Sequence, residues 1–243
     1  MSGAEHAERL RALHRPGDPL LLVNAWDPPS ARRLAQDGYP AIATTSAGVA
    51  EALGYEDGNV TPPDEMLGAV ARIAAVVDVP VTADLEAGYG LEPPALVRGL
   101  LDAGAVGLNF EDTDHDAGAL TDAEVQAERL AAIKEAGRDA GVDIVLNARV
   151  DVFLRGGELD EAVRRGKLYA QAGADCIYPI GVRGRDAIRA LVEGVGAPVN
   201  ILAVPGGLSL PELGELGVAR VSFGSGLMEI AIDAAARAAA DYS

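Results

Sequence analysis

Two carboxylates, Asp84 and Glu86, stand where an apolar run ends in the stretch VPVTADLEAGYGLEP, residues 79–93. The run has the composition of a buried strand, and the glycine-rich turn GYG follows the two acids. Like charges this close repel each other, and burying them is unfavourable by several kcal/mol unless a positive charge compensates. A divalent cation held over the end of the strand would supply that charge.

More acids follow the neighbouring strands of the chain. Glu111 ends the next apolar run, and Asp57 lies in the long loop EALGYEDGNVTPPDE that follows the preceding one. Oxygen ligands suit a hard cation, and Mg²⁺ takes one or two carboxylates directly while it keeps several waters. We therefore predict a Mg²⁺ site, with Mn²⁺ as the alternative ion, in which Asp84 is the direct ligand and the other three acids hold its bound waters. The alternative is that these acids are helix N-caps or solvated loop charges.

A cation at the end of the fifth strand completes this set. Arg149 follows the apolar run 144–146 and is therefore expected at the same rim of the sheet. A guanidinium beside a metal suits the two-point binding of a substrate carboxylate or phosphonate. The alternative is an ion pair with Asp151 or Glu111.

Small and polar residues near these acids offer further chemistry. The sequence Ser46-Ala47-Gly48, after the second strand, predicts a turn whose backbone N–H groups and hydroxyl receive a substrate oxygen. His115, in the acidic stretch after the fourth strand, is a candidate general acid because a loop imidazole titrates near neutrality. Its alternative is a solvated loop residue. Tyr55 is a candidate substrate-binding residue because its hydroxyl could reach the metal.

Eight apolar runs that alternate with helical patterns must position these side chains. They cover residues 20–24, 41–44, 79–84, 106–110, 144–148, 176–179, 199–202 and 218–223. Continuous apolar runs are typical of a parallel sheet that is buried on both faces. Eight strand-then-helix units in 243 residues predict an α/β fold, a single (β/α)8 TIM-barrel domain over residues 1–243, with an open doubly wound sheet as the alternative. The Ala-rich terminal helix, about 225–241, either packs on its own barrel or docks on a neighbouring subunit.

Composition excludes several classes of partner. The chain has 20 Lys plus Arg against 37 Asp plus Glu, and the net charge of −17 disfavours nucleic acid and anionic lipid. The single cysteine, Cys176, excludes an intramolecular disulfide and a cysteine-rich zinc site, and its apolar surroundings predict core packing. There is neither a signal-peptide pattern nor an apolar stretch of 18 residues, so we expect a cytoplasmic protein without a membrane span.

Three motifs make the chain resemble the isocitrate lyase and phosphoenolpyruvate mutase superfamily. They are TADLEAGYG (residues 82–90), LNFED (108–112) and NARVDVF (147–153), supported by TTSAGVAEALGYEDG and GVARVSFGSGL. The resemblance runs from about residue 18 to residue 230. It implies a barrel enzyme that stabilises a pyruvate-like enolate on Mg²⁺ and forms a homo-oligomer, a dimer or tetramer, by exchanging its C-terminal helix.

The resemblance also implies a role for each matching residue. Asp84 resembles the direct metal ligand, and Asp57, Glu86 and Glu111 resemble the acids that bind its waters. Ser46, Ala47 and Gly48 resemble the turn that receives the substrate's carboxylate or enolate oxygen. Arg149 is similar to the arginine that binds the substrate carboxylate, and Asn200 to a polar ligand of the substrate's distal part.

Departures from the superfamily pattern lie in the half of the site that selects the reaction. The lyases carry a Lys-(Lys/Arg)-Cys-Gly-His loop after the fourth strand, whereas this chain reads EDTDHDAGALTDAEVQ. Ile180 stands where the lyases have a glutamate and the mutase a histidine. We expect a Mg²⁺-dependent lyase that cleaves or decarboxylates a small α-keto or α-hydroxy di- or tricarboxylate. The alternatives are a phosphonopyruvate-type mutase or hydrolase of a P–C bond and a non-catalytic carboxylate-binding barrel.

Overall fold

Eight parallel strands form the wall of a barrel in the computed structural model, which describes residues 1–242. The barrel strands are β1 (Leu20–Ala25), β2 (Ile42–Thr44), β3 (Val81–Asp84), β4 (Gly107–Glu111), β7 (Val145–Arg149), β8 (Cys176–Tyr178), β9 (Asn200–Leu202) and β10 (Arg220–Ser222). Two short strands between them, β5 (Thr113–Asp114) and β6 (Ala119–Leu120), pair as an antiparallel hairpin. A bridge between Ile177 and Val199 joins β8 to β9 and closes the ring. The predicted TIM barrel is confirmed, and the open sheet is wrong.

Helices alternate with the barrel strands along the chain. They are α1 (Gly3–Ala12), α2 (Pro28–Gln36), α3 (Ser46–Leu53), α4 (Pro63–Ala74), α5 (Pro93–Asp102), α6 (Ala123–Asp139), α7 (Leu159–Gln171), α8 (Arg185–Val195), α9 (Leu210–Glu215) and α10 (Gly226–Ala240), with a 3₁₀ turn at Val152–Arg155. Several begin with a proline in the first turn, where its missing N–H leaves no helical bond unmade.

The apolar core has two parts. The larger cluster lies between the strands and the surrounding helices, which explains why the strands read as unbroken apolar runs. The smaller one fills the amino-terminal end of the barrel interior, where Leu10 of α1 packs with Leu22 and Val145. Helix α1 therefore seals the end of the barrel that lies away from the predicted site.

Ser46, Ala47 and Gly48 form the first turn of helix α3 rather than a simple turn. The Thr45 side chain caps this helix by accepting the Gly48 N–H. The first N–H groups of a helix have no intrahelical acceptor, so they remain available to side chains or to a ligand, and their role in receiving a substrate oxygen stays a prediction. The helix end thus points a partial positive charge at the rim.

Helix α10 is exposed along most of its length. Met228 is its one buried residue among those described, whereas Ile230 and Ile232 are 61% and 49% exposed. Among residues 1–242, no helix combines the length and the apolarity needed to cross a membrane. Cys176 is fully buried, as its apolar surroundings predicted.

Candidate active site

Asp84 ends β3 with one carboxylate oxygen engaged and the other unpaired. Its Oδ2 accepts hydrogen bonds from Ser46 Oγ at 3.2 Å and, more weakly, from Ser46 N–H at 3.5 Å. Its buried Oδ1 has no partner within the described chain. Burial raises the pKa of Asp84, and Asp57 adds to the shift while Arg149 opposes it. A buried, unpaired carboxylate oxygen of this kind calls for a cation.

Glu86 ties the loop after β2 to the end of β3. Its Oε2 accepts the backbone N–H groups of Gly58 (3.0 Å) and Asn59, and its Oε1 accepts the Tyr89 hydroxyl at 3.0 Å. Asn59 Oδ1 in turn accepts the Tyr89 N–H at 2.8 Å. Glu86, Asn59 and Tyr89 all have positive φ, of 48°, 65° and 53°, a conformation that is unfavourable for residues other than glycine. Asp57, next to Gly58 in the same loop, is exposed, and its charge raises the pKa of both Asp84 and Glu86.

Glu111, at the end of β4, lies between an imidazole and a guanidinium. His115 Nε2 lies 2.6 Å from its Oε1, and Arg149 Nη1 lies 2.5 Å from its Oε2. Burial raises the pKa of Glu111, whereas His115 and Arg149 oppose that shift. The contact with Glu111 raises the pKa of His115. In this arrangement the imidazole faces a carboxylate, so its role as a general acid stays a prediction.

Arg149 is held by two acids. Besides Glu111, its Nε and Nη2 donate to Asp151 at 2.6 and 2.9 Å. Burial alone would lower the pKa of Arg149, but Glu111 and Asp151 outweigh it, so the guanidinium stays charged. The ion pairs of Arg149 with Asp151 and Glu111, which were the alternative to substrate binding, are therefore both present. They also hold the guanidinium at the rim where Asp84 lies.

The donor set fits a hard divalent cation. Ligand atoms of Glu86, Glu111 and His115 all lie within 4.8 Å of one another, and Asp84 supplies an unpaired oxygen beside them. Three of these groups are the predicted carboxylates, which Mg²⁺ and Mn²⁺ prefer. His115 was not foreseen in this cluster.

Two predicted substrate-binding residues are hydrogen-bonded to residues outside the predicted set. The Tyr55 hydroxyl donates to Glu65 Oε1 at 2.6 Å, on the exposed side of the loop, and so does not reach the acids. Asn200 is fully buried in the barrel interior, where its Nδ2 donates to Ser222 at 3.1 Å. The substrate-binding roles expected for these two residues stay predictions.

The structure also shows buried polar residues that the sequence reading did not assign to the site. Tyr178 is the register partner of Arg149 and is 4% exposed, and burial raises its pKa to about 12. Arg220 is fully buried in the barrel, where its Nη2 donates to Asn109 at 3.1 Å. Alternation along β8 and β10 could have placed both side chains inward, because every second residue of a strand faces the same side.

The metal-free protein should lose stability as the pH rises from about 4.5 to 7. Burial raises the pKa of Glu86 to about 7, with Asp57 and Asp84 adding to the shift. Over that range the folded state keeps a proton that the unfolded state releases, so the slope is negative and the total loss is about 3 kcal/mol. Urea unfolding in EDTA at pH 5 and pH 8 measures it.

Glu86→Gln should flatten this pH dependence, and the exposed Glu92→Gln should leave it unchanged. An undiminished slope in Glu86→Gln would show that another group carries the effect.

Comparisons with known proteins agree with this geometry. The sequence profile of the phosphoenolpyruvate phosphomutase family matches residues 10–242. An uncharacterised protein of Mycobacterium tuberculosis H37Rv is 37% identical over 229 residues, which cover 93% of this chain and 86% of the relative. A crystal structure from Burkholderia cenocepacia J2315, with the working description of a phosphonomutase, has a TM-score of 0.93 and 38% identity and covers 100% of both chains. The structure of 2,3-dimethylmalate lyase has a TM-score of 0.87 and 26% identity, over 97% of this chain and 86% of that one.

Proposed function

Because this chain belongs to the phosphoenolpyruvate phosphomutase family of the isocitrate lyase and phosphoenolpyruvate mutase superfamily, we propose that it is a Mg²⁺-dependent lyase. Its substrate is a small α-keto or α-hydroxy di- or tricarboxylate, and the reaction cleaves a C–C bond or removes CO₂ through a pyruvate-like enolate. The observation that carries the proposal is the buried, unpaired Oδ1 of Asp84 at the rim that also holds Glu111 and Arg149. Mn²⁺ is the alternative ion.

Four acids would hold the ion. Asp84 would bind it directly, and Asp57, Glu86 and Glu111 would bind its waters. When bound, the ion supplies Lewis-acid polarisation of the substrate's carbonyl or hydroxyl oxygen. The protein's own part is to bring these oxygens together at the ends of β3 and β4 and in the loop that Glu86 fixes.

Arg149 and the start of α3 would bind and orient the substrate. The guanidinium binds Asp151 through Nε and Nη2 and Glu111 through Nη1, which fixes its plane, and would offer a remaining N–H to the substrate's carboxylate. Ser46 N–H, at the positive end of α3, lies next to Asp84 and would stabilise negative charge on the substrate oxygen.

The segment after β4 favours C–C over P–C chemistry. Residues 111–126 contain four Asp and two Glu and no Lys, Arg or Cys, so His115 is the one side chain of this segment that could carry a positive charge to a phosphoryl group, and it is bound to Glu111. The similarity to 2,3-dimethylmalate lyase supports the same choice. A phosphonopyruvate-type mutase or hydrolase is the second candidate, because the relative from Burkholderia cenocepacia is described as a phosphonomutase.

A thermal-shift screen tests the proposal. Mg²⁺ together with oxalate, a mimic of enolpyruvate, should raise the melting temperature by several degrees, since a ligand that binds only the folded state stabilises it by mass action. Oxaloacetate, malonate, substituted malates and phosphonopyruvate are screened beside it, and EDTA is the control. A response to phosphonopyruvate alone would favour the second candidate, and no response to Mg²⁺ with any acid would contradict the proposal.

Helix α10 is proposed to be exchanged between subunits of a homo-oligomer. Ile230 and Ile232 lie on opposite sides of the helix, and both are exposed in the single chain. Glu229, Asp233 and Arg237 form one polar side of α10, whereas Ile230 and Ile232 leave apolar surface exposed beside it, and docking on a neighbouring chain would cover that surface.

The double variant Ile230→Glu/Ile232→Glu should therefore convert the oligomer to a monomer. The barrel should stay folded, because neither side chain packs against it. Light scattering after gel filtration measures the mass, and circular dichroism checks the fold. Arg237→Gln, on an exposed position of the same helix, serves as the control. An unchanged mass in the double variant would place the interface elsewhere.

A further inference from the structure

A buried polar cluster lies behind the candidate site, between β4 and α7. Its centre is Asp112, whose carboxylate is fully buried. Asp112 Oδ2 accepts hydrogen bonds from the Tyr169 hydroxyl at 2.8 Å and from Arg165 Nη1 at 3.0 Å. Its Oδ1 accepts the backbone N–H of Asp151 at 2.8 Å. We call Asp112, Arg165 and Tyr169 the α7 cluster, and neither of its α7 residues contacts Asp84, Glu111 or Arg149.

The α7 cluster reaches Arg149 through one residue. The Asp151 backbone is held by Asp112, and its carboxylate is held by Thr113 Oγ1 at 2.6 Å. That carboxylate in turn binds Arg149 Nε and Nη2. With its main chain and its side chain both fixed, Asp151 sets the plane in which the Arg149 guanidinium lies.

The same cluster closes the base of the β5–β6 hairpin. Arg165 Nη1 donates to the carbonyl oxygen of Thr121 at 2.8 Å, and the Thr121 N–H donates to the carbonyl oxygen of Asp112 at 2.8 Å. Residues 112 and 121 flank the segment that carries His115. One guanidinium therefore holds both ends of this segment together.

A buried ion pair is weak evidence for stability alone, because the desolvation of both charges offsets much of their attraction. Burial raises the pKa of Asp112, which shows that its surroundings disfavour the charge they hold. What the cluster does provide is a fixed orientation, since three donors converge on the Asp112 carboxylate and one of them is the backbone N–H of Asp151, the residue that orients Arg149.

We propose that Arg165 and Tyr169 are positioning residues that orient Arg149 for the substrate carboxylate through Asp112 and Asp151. The inference rests on the proposed function, since it assumes that Arg149 binds a carboxylate. Arg165 and Tyr169 act from the outer helix layer and touch no substrate. They therefore govern carboxylate affinity without taking part in the chemistry.

The chain offers a matched pair of arginines for the test. Arg164 and Arg165 both bind Glu161, but Arg164 is exposed and continues to Glu124 on the surface, whereas Arg165 continues to Asp112. Arg165→Gln should weaken the binding of oxalate in the presence of Mg²⁺ at least tenfold, and Arg164→Gln should change it less than twofold. Tyr169→Phe, which removes one hydroxyl, should weaken it about threefold to tenfold. Isothermal titration measures all four proteins.

A double-variant cycle separates orientation from general stability. The Arg149→Lys variant has no planar guanidinium whose orientation could change. In that variant, adding Arg165→Gln should have little further effect on oxalate affinity. Equal losses in both backgrounds would overturn the proposal, and so would an oxalate affinity within twofold of wild type in folded Arg165→Gln and Tyr169→Phe.

A readout without ligand keeps this test distinct from that of the proposed function. The ¹⁵N–¹H signal of Arg149 Nε should shift in Arg165→Gln and in Tyr169→Phe and stay in place in Arg164→Gln. If wild-type protein does not bind oxalate at all, the proposed function fails while this signal still reports the orientation of Arg149. An unmoved signal in both variants would overturn the positioning role whatever oxalate does.

Discussion

Asp84→Ala should lower Mg²⁺-dependent kcat/KM by at least about 1,000-fold, because the variant loses an acid whose buried Oδ1 has no partner within residues 1–242. The fold should survive, since Asp84 stands at the end of β3 and burial disfavours its charge. Removing that charge relieves the repulsion from Asp57, so the melting temperature in EDTA should be unchanged or higher. Steady-state kinetics with the substrate that the screen identifies, together with thermal unfolding, measure both effects.

Two variants control for the loss of a carboxylate as such. Asp84→Asn keeps the shape of the side chain and should be nearly as inactive, because an amide is a weak ligand for a hard cation. The exposed Asp102→Ala should behave as wild type. Full activity in Asp84→Ala would remove the basis for a metal site at the end of β3.

Arg149→Lys should lower kcat/KM by about 100-fold to 1,000-fold, chiefly through KM for the carboxylate substrate. Lysine keeps the charge that Glu111 and Asp151 require, so the buried acids stay compensated and the protein should fold. What lysine lacks is the planar fork, which binds Asp151 and Glu111 through its three nitrogens and still has an N–H to offer to the substrate.

The control for this substitution is Arg155→Lys. Arg155 is exposed, and its Nη1 donates to the carbonyl oxygen of Gly118 in the hairpin. Arg155→Lys therefore tests whether replacing any arginine near the rim lowers kcat/KM. Kinetics within twofold of wild type for Arg149→Lys would assign carboxylate binding to another group.

The sequence predicted the barrel and the rim because both follow from local pattern. Apolar runs of strand length, each followed by a helical segment, are readable without tertiary contacts, and the acids at their ends then share one rim. Two observed strands are shorter than predicted. Strand β3 begins at Val81, after Val79 and Pro80, and strand β8 ends at Tyr178, before Pro179. Proline lacks the N–H that a ladder needs.

What the sequence could not provide is the choice of partner for each polar group. The Tyr55 hydroxyl can reach either the metal acids or Glu65, and only the path of the loop decides between them. Glu86 has a left-handed backbone conformation with a φ of 48°, and no sequence pattern predicts this conformation for a glutamate. The contacts of Asp112 with α7 join residues more than fifty positions apart, so they depend on helix packing rather than on spacing.

The β5–β6 hairpin, between β4 and α6, determines whether its segment loses conformational entropy when the chain folds or when a ligand binds. Its ends are tied by Arg165 and by the Thr121–Asp112 bond, and its turn is held by the Ala117 N–H on Asp114 Oδ1 at 2.9 Å. A flexible lid gives up conformational entropy each time a ligand arrives, and that loss is subtracted from affinity. Here the bonds that tie the segment lie within the protein itself, so most of its entropy is lost when the chain folds and little remains to be lost when a ligand binds.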